Sequence, residues 1–325
     1  MLKEMKYLRY PISIQTFEKI IEGKYAYVDK TDLVYDLAQE NVCFLSRPRR
    51  FGKSLLISTL EAYFTGRKEL FEGLKIDSLE TKWEKYPVFR IDFAGGNFEN
   101  PNGLDDVLEN YLKKWESEYE IINERETTGV RDQNIICKGV ESTGKKAVVL
   151  IDEYDKPMLD VLGTEQEEKN RSILRGFYGT FKVVDANLRF VLLTGVTKFS
   201  QISVFSGFNQ PNDISMNSKF DAICGITEEE LHDCFAEPIL EMADRMECTE
   251  DEVKEMLKKQ YDGYHFSQKM LDIYNPFSLI NAFNSMDIEN YWYRSGTPTY
   301  LVKLLEGHSV NMQKLTSKAY ESQYF

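Results

Sequence analysis

A glycine, a lysine and a serine stand together at residues 52–54, after a basic loop that follows a short apolar run. Residues 42–45 (VCFL) predict a buried strand, residues 46–54 (SRPRRFGKS) a loop, and residues 55–60 (LLISTL) an apolar helix. Strand, loop, Gly-Lys-Ser and helix in this order are the parts of a P-loop, whose backbone N–H groups and helix N-terminus hold phosphates. The residues predicted to bind a nucleotide are Arg49, Arg50, Phe51, Gly52, Lys53, Ser54 and Leu55.

Two side chains of this loop have specific predicted tasks. Lys53 is expected to reach the β and γ phosphates, and the Ser54 hydroxyl to bind Mg²⁺. Ser46 or Arg47 stands where the usual pattern has its first glycine, which weakens the pattern taken alone. A solvated basic loop is the better interpretation of an isolated Gly-Lys-Ser triplet, but the preceding strand favours the phosphate site.

Two adjacent carboxylates follow another apolar run. Residues 148–151 (VVLI) predict a buried strand, and Asp152 and Glu153 stand at its carboxyl end. We expect Asp152 to hold Mg²⁺, usually through water, and Glu153 to orient and deprotonate an attacking water. An acidic turn is the alternative for such a pair standing alone. A doubly wound fold accommodates the order of the motifs. In such a fold we expect the Asp-Glu strand to lie beside the P-loop strand.

A further strand is predicted over residues 189–193, and Thr194 follows it directly. The Thr194 hydroxyl is the candidate to contact the γ phosphate or the attacking water, and a strand-end cap is the alternative. Residues 197–200 (TKFS) resemble the guanine-reading pattern Asn-Lys-x-Asp, but Ser200 lacks the carboxylate that pairs with guanine, so ATP is favoured. The arginines that could stabilise charge in the transition state are Arg47, Arg49, Arg50 and Arg294.

Short apolar strands that alternate with helices predict an α/β fold with a P-loop NTPase core and a mainly parallel, helix-flanked sheet. Residues 88–93 add a strand, residues 104–122 a helix with an apolar stripe, and residues 25–28 a short strand before a helix. Parallel sheets bind ligands beyond the carboxyl ends of their strands. We expect a core over residues 1–210, with the functional residues directly after the strands.

Residues 211–325 predict a mostly helical second unit, a lid or winged-helix-like element that could be truncated before a further domain. Capping boxes begin at Thr227 and Thr249, and Asn275-Pro276 and Thr297-Pro298 each place a capping side chain before a first-turn proline. Between the predicted helices, residues 261–266 (YDGYHF) indicate an aromatic-flanked turn or small hairpin.

The composition limits the partners of the chain. The 325 residues carry 40 Lys and Arg against 53 Asp and Glu, a net charge of -13 that is unfavourable for coating nucleic acid or an anionic membrane. Five cysteines without a C-x-x-C pair and three histidines encode neither a disulfide framework nor a zinc site. The apolar runs fall short of the ~18 residues that span a bilayer, and residues 1–6 lack a signal-peptide pattern, so we expect a cytoplasmic protein.

Five segments in combination have a familiar pattern: YVDKT at 27–31, RPRRFGKS at 47–54, LIDEYD at 150–155, FSGFN at 205–209 and YDGY at 261–264. Over nearly the whole chain they resemble the bacterial AAA-ATPase-like family, in which a missing first glycine is usual. Members often continue into a nuclease-like domain of the PD-(D/E)XK type. The resemblance implies an ATPase core, with nucleic acid as a partner only through a domain that lies outside these residues.

The leading hypothesis is a Mg²⁺-dependent ATPase whose cycle moves the helical unit, in a nucleic-acid-related or regulatory system. The alternative is a nucleotide-gated switch with negligible hydrolysis, in which the surface at residues 200–300 recruits a partner. The aromatic residues between 261 and 293 motivate this alternative. A small-molecule kinase fits less well, because Glu153 beside Asp152 suits water activation better than transfer to an acceptor. Whether a homo-oligomer supplies an arginine stays open, and no membrane partner is expected.

Overall fold

The computed structural model describes residues 9–122, 127–198 and 211–292. Several predictions fall outside these ranges: the segment 205–209, Arg294, and the cap at Thr297-Pro298. Within the ranges, a mainly parallel sheet with helices on both faces is followed by a helical unit, so the predicted α/β fold class is confirmed.

The sheet of the described residues has five strands, all paired in parallel. They are β1 (Val42–Ser46), β2 (Val88–Asp92), β3 (Ala147–Asp152), β4 (Leu188–Gly195) and β5 (Asn212–Asp213). Their spatial order is β2-β3-β4-β1-β5. The expectation that the Asp-Glu strand lies beside the P-loop strand is therefore wrong, because β4 pairs with both and separates them.

Helices cover both faces of the sheet, which explains why its central strands are apolar throughout. They are α1 (Phe17–Glu22), α2 (Thr31–Leu37), α3 (Lys53–Phe64), α4 (Gly103–Glu118), α5 (Thr128–Thr143), α6 (Lys156–Leu159) and α7 (Gln166–Val183), with short 3-10 helices at Lys68–Leu70, Lys75–Ser78 and Asp185–Asn187. Phe44 of β1 packs in the core formed with α4, α5 and α7. Its neighbours Cys43 and Leu45 point to the opposite face, into the core formed with α1, α2 and α3.

The helical unit has its own core around a two-stranded antiparallel sheet. Its elements are β6 (Ile226–Thr227), α8 (Glu228–Cys234), α9 (Ala236–Met246), α10 (Glu250–Tyr261), β7 (Ile273–Tyr274) and α11 (Pro276–Ser285). Both predicted capping boxes form, at Thr227 and Thr249, and Asn275 Oδ1 accepts the Ser278 N–H in front of α11. Tyr264 forms an antiparallel bridge with Ile273, as expected of a small hairpin.

Three boundaries differ from the sequence expectations. Of the strand expected over residues 25–28, only Tyr25 is paired, in an isolated bridge with Arg9. Helix α4 ends at Glu118 rather than residue 122, because Glu120 adopts a left-handed backbone, and Ile122 is 89% exposed. Strand β5 comes after residue 210 in the sequence and pairs with β1, so the sheet extends past the expected boundary between the two units.

Candidate functional site

The carboxyl ends of β1, β4 and β3 lie side by side at one edge of the sheet. Leu45 of β1 is opposite Thr194 of β4, and Leu193 of β4 is opposite Ile151 of β3. The loop after β1, the hydroxyl of Thr194 and the carboxylates after β3 therefore converge at the edge where parallel sheets bind ligands.

The loop between β1 and α3, predicted to bind phosphate, has an unusual backbone. Arg50 and Gly52 both have left-handed φ angles, of 69° and 91°. Apart from Gly52 and its two chain neighbours, no atom of the described residues lies within 4 Å of the position that a Cβ on Gly52 would take. Glycine therefore suits this position for its conformation rather than for space. The resulting turn leads directly into Lys53 at the start of α3.

Lys53 is buried, and its side chain bonds to the loop that precedes it. Its Nζ donates to the carbonyls of Arg47 and Pro48, at 3.0 and 3.1 Å. Burial lowers the pKa of Lys53, while the nearby carboxylates of Asp152 and Asp155 oppose that shift. The ammonium group is thus within the electrostatic influence of the acidic residues after β3.

Arg47, a sequence candidate for charge stabilisation, is buried and bonded to carbonyl groups of the protein. Its guanidinium is buried and donates to the carbonyls of Ser46, Ser215 and Phe220, at 2.7 to 3.1 Å. It also lies 3.9 Å from the ring centroid of Phe266, and burial lowers the pKa of Arg47 to about 10. These contacts tie the first residue after β1 to the segment after β5 and to the helical unit.

Other loop residues also contact the helical unit. Phe51 is buried and packs edge-on against Tyr264, with ring centroids 4.7 Å apart. The exposed Arg50 lies over the ring of Phe277, and the carbonyl of Arg49 accepts a 3.0 Å hydrogen bond from Trp292 Nε1. Residues 49–51, which are predicted to bind the nucleotide, therefore also contact the helical unit.

Asp152 and Thr194 form the centre of the site. The Thr194 hydroxyl donates to Asp152 Oδ1 at 2.6 Å, and both residues are fully buried. Asp152 Oδ2 is also buried and has no hydrogen-bond partner among the described residues. One carboxylate oxygen is held by the protein and the other is left for a further group.

The donor set fits Mg²⁺ held jointly by protein and nucleotide. An unpartnered carboxylate oxygen and a half-buried hydroxyl, those of Asp152 and Ser54, are hard oxygen ligands. No cluster of three or more His, Cys, Asp or Glu that could hold a metal occurs in the described ranges. Mg²⁺ commonly takes one or two protein oxygens and completes its shell with water and phosphate, so the residues present suffice.

Glu153 has a strained backbone at the strand end. Its φ angle is 52°, a left-handed value that costs a non-glycine residue about 1 kcal/mol or more, and its N–H donates to Asp152 Oδ1 at 3.1 Å. Burial raises the pKa of Glu153, and the positive charge of Lys53 acts in the opposite direction. A carboxylate with a raised pKa is a better proton acceptor than an exposed one.

Asp155 has a role that the sequence reasoning missed. Its Oδ2 accepts from the N–H groups of Val196 and Thr197 and from the Thr197 hydroxyl, at 2.7 to 2.9 Å. The side chain therefore holds the segment that leaves β4, next to Thr194. The only signal in the sequence was the position of this aspartate three residues after Asp152.

An apolar cavity of about 110 Å³ lies beside the start of α3 and was also not foreseen. Gly52 and Leu55 line one side, Tyr27 and Val28 another, and Ile280 of α11 contributes from the helical unit. The cavity therefore lies next to the loop after β1 and is lined by residues of both units. Three of the residues that line it, Phe51, Gly52 and Leu55, are among those that the sequence predicts to bind a nucleotide.

A family model described as predicted AAA-ATPase matches residues 11–205, a range that contains β1 to β4 and the residues of the site. The chain belongs to the AAA-ATPase-like family. The chain is similar to an uncharacterized protein in the vnfD 5'region of Azotobacter chroococcum mcd 1, with 40% identity over 298 residues. The match covers 91% of this chain and 55% of the relative, so the chain spans about half the length of that protein.

For this AAA-ATPase-like chain, membership supports nucleotide binding at the family level. The geometry brings together Lys53, Thr194, Asp152 and Glu153, and places Ser54 one residue after Lys53 in α3. It directs Arg47 away from that group. None of the described helices combines the length and the apolar character that crossing a bilayer requires.

Proposed function

We propose that this AAA-ATPase-like protein binds ATP with Mg²⁺ at the edge of its sheet and hydrolyses it. The observation that carries the proposal concerns the carboxylate of Asp152. Its Oδ1 accepts from Thr194, while its buried Oδ2 has no hydrogen-bond partner among the described residues. An unpaired buried oxygen is costly, so a group that bonds Oδ2 would be stabilised there. At the edge of a parallel sheet, next to a P-loop lysine, the missing partner is a metal ion or its water.

The residues divide the work according to their chemistry. Lys53 and the N–H groups of the loop bind phosphate oxygens, and Ser54 with Asp152 would hold Mg²⁺. The bound ion supplies positive charge that stabilises the charge developing on the phosphate oxygens. Glu153 orients the attacking water and accepts its proton, for which its raised pKa is suited. Thr194 keeps Asp152 in one orientation through its hydrogen bond to Oδ1.

The apolar cavity beside Gly52 and Leu55 is the proposed position of the nucleobase. Its mostly apolar walls favour adenine, which can be bound by packing and a few backbone contacts, without a carboxylate that reads guanine. Because Ile280 of the helical unit forms part of this wall, ATP would touch both units at once.

The contacts between loop and helical unit support a conformational cycle. Phe51 packs on Tyr264, and Arg47 lies over Phe266, so a change in loop shape on phosphate binding reaches the helical unit directly. The same contacts also support the second candidate, a nucleotide-gated switch with negligible hydrolysis. Turnover distinguishes the two.

The proposal is tested by phosphate release and ATP binding in the wild type and two variants. We expect Lys53→Ala to weaken ATP binding, and Glu153→Gln to bind ATP normally while turnover falls about 10²- to 10⁴-fold. Lys114→Ala and Glu165→Gln alter exposed residues of the same types and serve as matched controls. Equal rates in the wild type and both site variants contradict hydrolysis at this site, and tight ATP binding without turnover in the wild type favours the switch.

A further inference from the structure

A second cavity, of about 220 Å³, lies in the helical unit, and the proposed ATP site does not use it. The end of α10, the YDGY segment and the start of α11 line it. Asp262 and Asn275 provide polar groups, and Tyr264, Tyr291 and Trp292 provide aromatic ones. The cavity therefore combines a carboxylate, an amide and several aromatic rings in one place.

Two polar atoms of this cavity are buried and have no hydrogen-bond partner among the described residues: Asp262 Oδ1 and Asn275 Nδ2. Asn275 is 2% exposed, and its Oδ1 accepts the Ser278 N–H at 2.9 Å as the cap of α11. This cap determines which end of the amide is the oxygen, so the opposite end is an NH₂ donor without an acceptor. The cavity thus presents one unfilled acceptor and one unfilled donor.

No Lys, Arg or His in the described part of the chain forms an ion pair with Asp262. The basic groups nearest to it, Lys258 and His265, are both bound to Asp272, at 3.0 and 2.8 Å, and Lys258 also to Glu228. Burial raises the pKa of Asp262, while a backbone hydrogen bond from Gly263 acts in the opposite direction. A cationic group entering the cavity would provide such an ion pair.

Arginine matches the cavity better than other cations. A guanidinium is planar, donates in a fixed fork to a carboxylate and stacks on aromatic rings, whereas the ammonium of lysine is a compact, strongly hydrated charge. A main-chain carbonyl next to such an arginine would supply the acceptor that Asn275 Nδ2 lacks. A peptide therefore provides both missing groups.

We propose that this cavity binds the arginine side chain of a peptide segment from a partner protein, with Asp262 accepting from the guanidinium and Asn275 donating to a carbonyl. Trp292, in the wall of the cavity, also donates to the carbonyl of Arg49 in the phosphate loop. A bound peptide thus contacts a residue that touches the nucleotide loop.

The test is calorimetric titration of the full chain, without nucleotide, with N-acetyl-arginine methylamide and its neutral isostere N-acetyl-citrulline methylamide. We expect the arginine compound to bind at least about tenfold more tightly, since it alone offers a charged donor to Asp262. Asp262→Asn should remove this preference. Asn275→Ser, which keeps a good capping residue, should weaken binding severalfold. Asp251→Asn, which alters an exposed aspartate at the start of α10, should have no effect.

Equal binding of the two compounds, binding of neither, or an unchanged arginine preference in a folded Asp262→Asn variant each overturns the proposal. Thermal unfolding of each variant establishes that it is folded. A tighter response to N-acetyl-lysine methylamide than to the arginine compound also contradicts it. Because no nucleotide is present, the result does not depend on whether the chain hydrolyses ATP.

Discussion

The hydroxyl of Thr194 donates a 2.6 Å hydrogen bond to Oδ1 of Asp152, across the boundary between two neighbouring parallel strands. This bond joins the next-to-last residue of β4 to the last residue of β3, at the edge of the sheet where the loop after β1 begins. Asp152 Oδ2 has no hydrogen-bond partner among the residues that the structure describes, and Thr194 is therefore a positioning residue for the proposed metal ligand.

Replacing Thr194 should therefore affect turnover more than binding. Thr194→Val keeps the shape but removes the donor, and we expect phosphate release to fall about 100-fold, with little change in ATP affinity. Thr194→Ser keeps the hydroxyl and should retain most of the rate. Steady-state phosphate release and ATP titration measure the two effects, and a valine variant as active as the serine variant would show that the bond is dispensable.

Arg47 should matter for stability rather than for chemistry. Arg47→Lys cannot keep all three carbonyl contacts and the stacking on Phe266, so we expect a loss of about 2 kcal/mol in the free energy of unfolding. The exposed residues give matched controls: Arg49→Lys and Arg50→Lys should stay within about 0.5 kcal/mol of the wild type. Urea unfolding measures this. An Arg47→Lys variant of normal stability with slowed phosphate release would instead assign Arg47 to the transition state.

Lys30 and Glu230 form an ion pair between the sheet unit and the helical unit, at 2.6 Å, with side chains 10% and 22% exposed. Lys30→Met and Glu230→Gln should each destabilise by about 2–3 kcal/mol, because each leaves one partly buried charge alone. Glutamine at 230 can still complete the capping box with Thr227, so the variant isolates the charge. In a double-mutant cycle by urea unfolding, we expect a coupling energy of about 1 kcal/mol or more. Strictly additive effects would show that the pair contributes no coupling.

Asp132 makes stability depend on pH. It is 3% exposed, its Oδ2 has no partner among the described residues, and burial raises its pKa to about 7 from an ordinary value of 3.8. The folded state holds a proton that the unfolded chain has already lost, so stability falls as the pH rises from about 4 to about 7.

The isosteric variant Asp132→Asn stays neutral and should avoid this loss. We expect its advantage over the wild type in the free energy of unfolding to be about 2–3 kcal/mol larger at pH 8 than at pH 5. Urea unfolding at the two pH values measures the difference. An advantage of the same size at both values would mean that Asp132 is already ionised in the folded protein at pH 5.

The features predicted correctly from the sequence are local ones. The strand before the phosphate loop, the strand before Asp152 and the capping boxes at Thr227 and Thr249 depend on residues within a few positions of each other. Apolar runs buried on both faces and capping side chains have the same physical cause in any fold. Such elements are therefore readable without knowing what packs against them.

The errors concern contacts between distant residues. Nothing in the run after residue 188 indicated that β4 would separate β1 from β3, since strand order depends on how the connecting helices pack. Arg47 and Arg49 are two positions apart in a basic loop, yet one is buried against Phe266 and the other is exposed. Only the position of the helical unit distinguishes them.

Residue type and spacing alone thus specified the chemistry available here: a phosphate loop with Lys53 and Ser54, an acidic pair at a strand end, and Thr194 after another strand. Tertiary structure decided the rest: that Thr194 bonds Asp152, that Asp155 holds the end of β4, and that Asp262 and Asn275 share a cavity. The reason is that hydrogen bonding and burial depend on distance in space, and residues 42 positions apart become neighbours only when the strands pair.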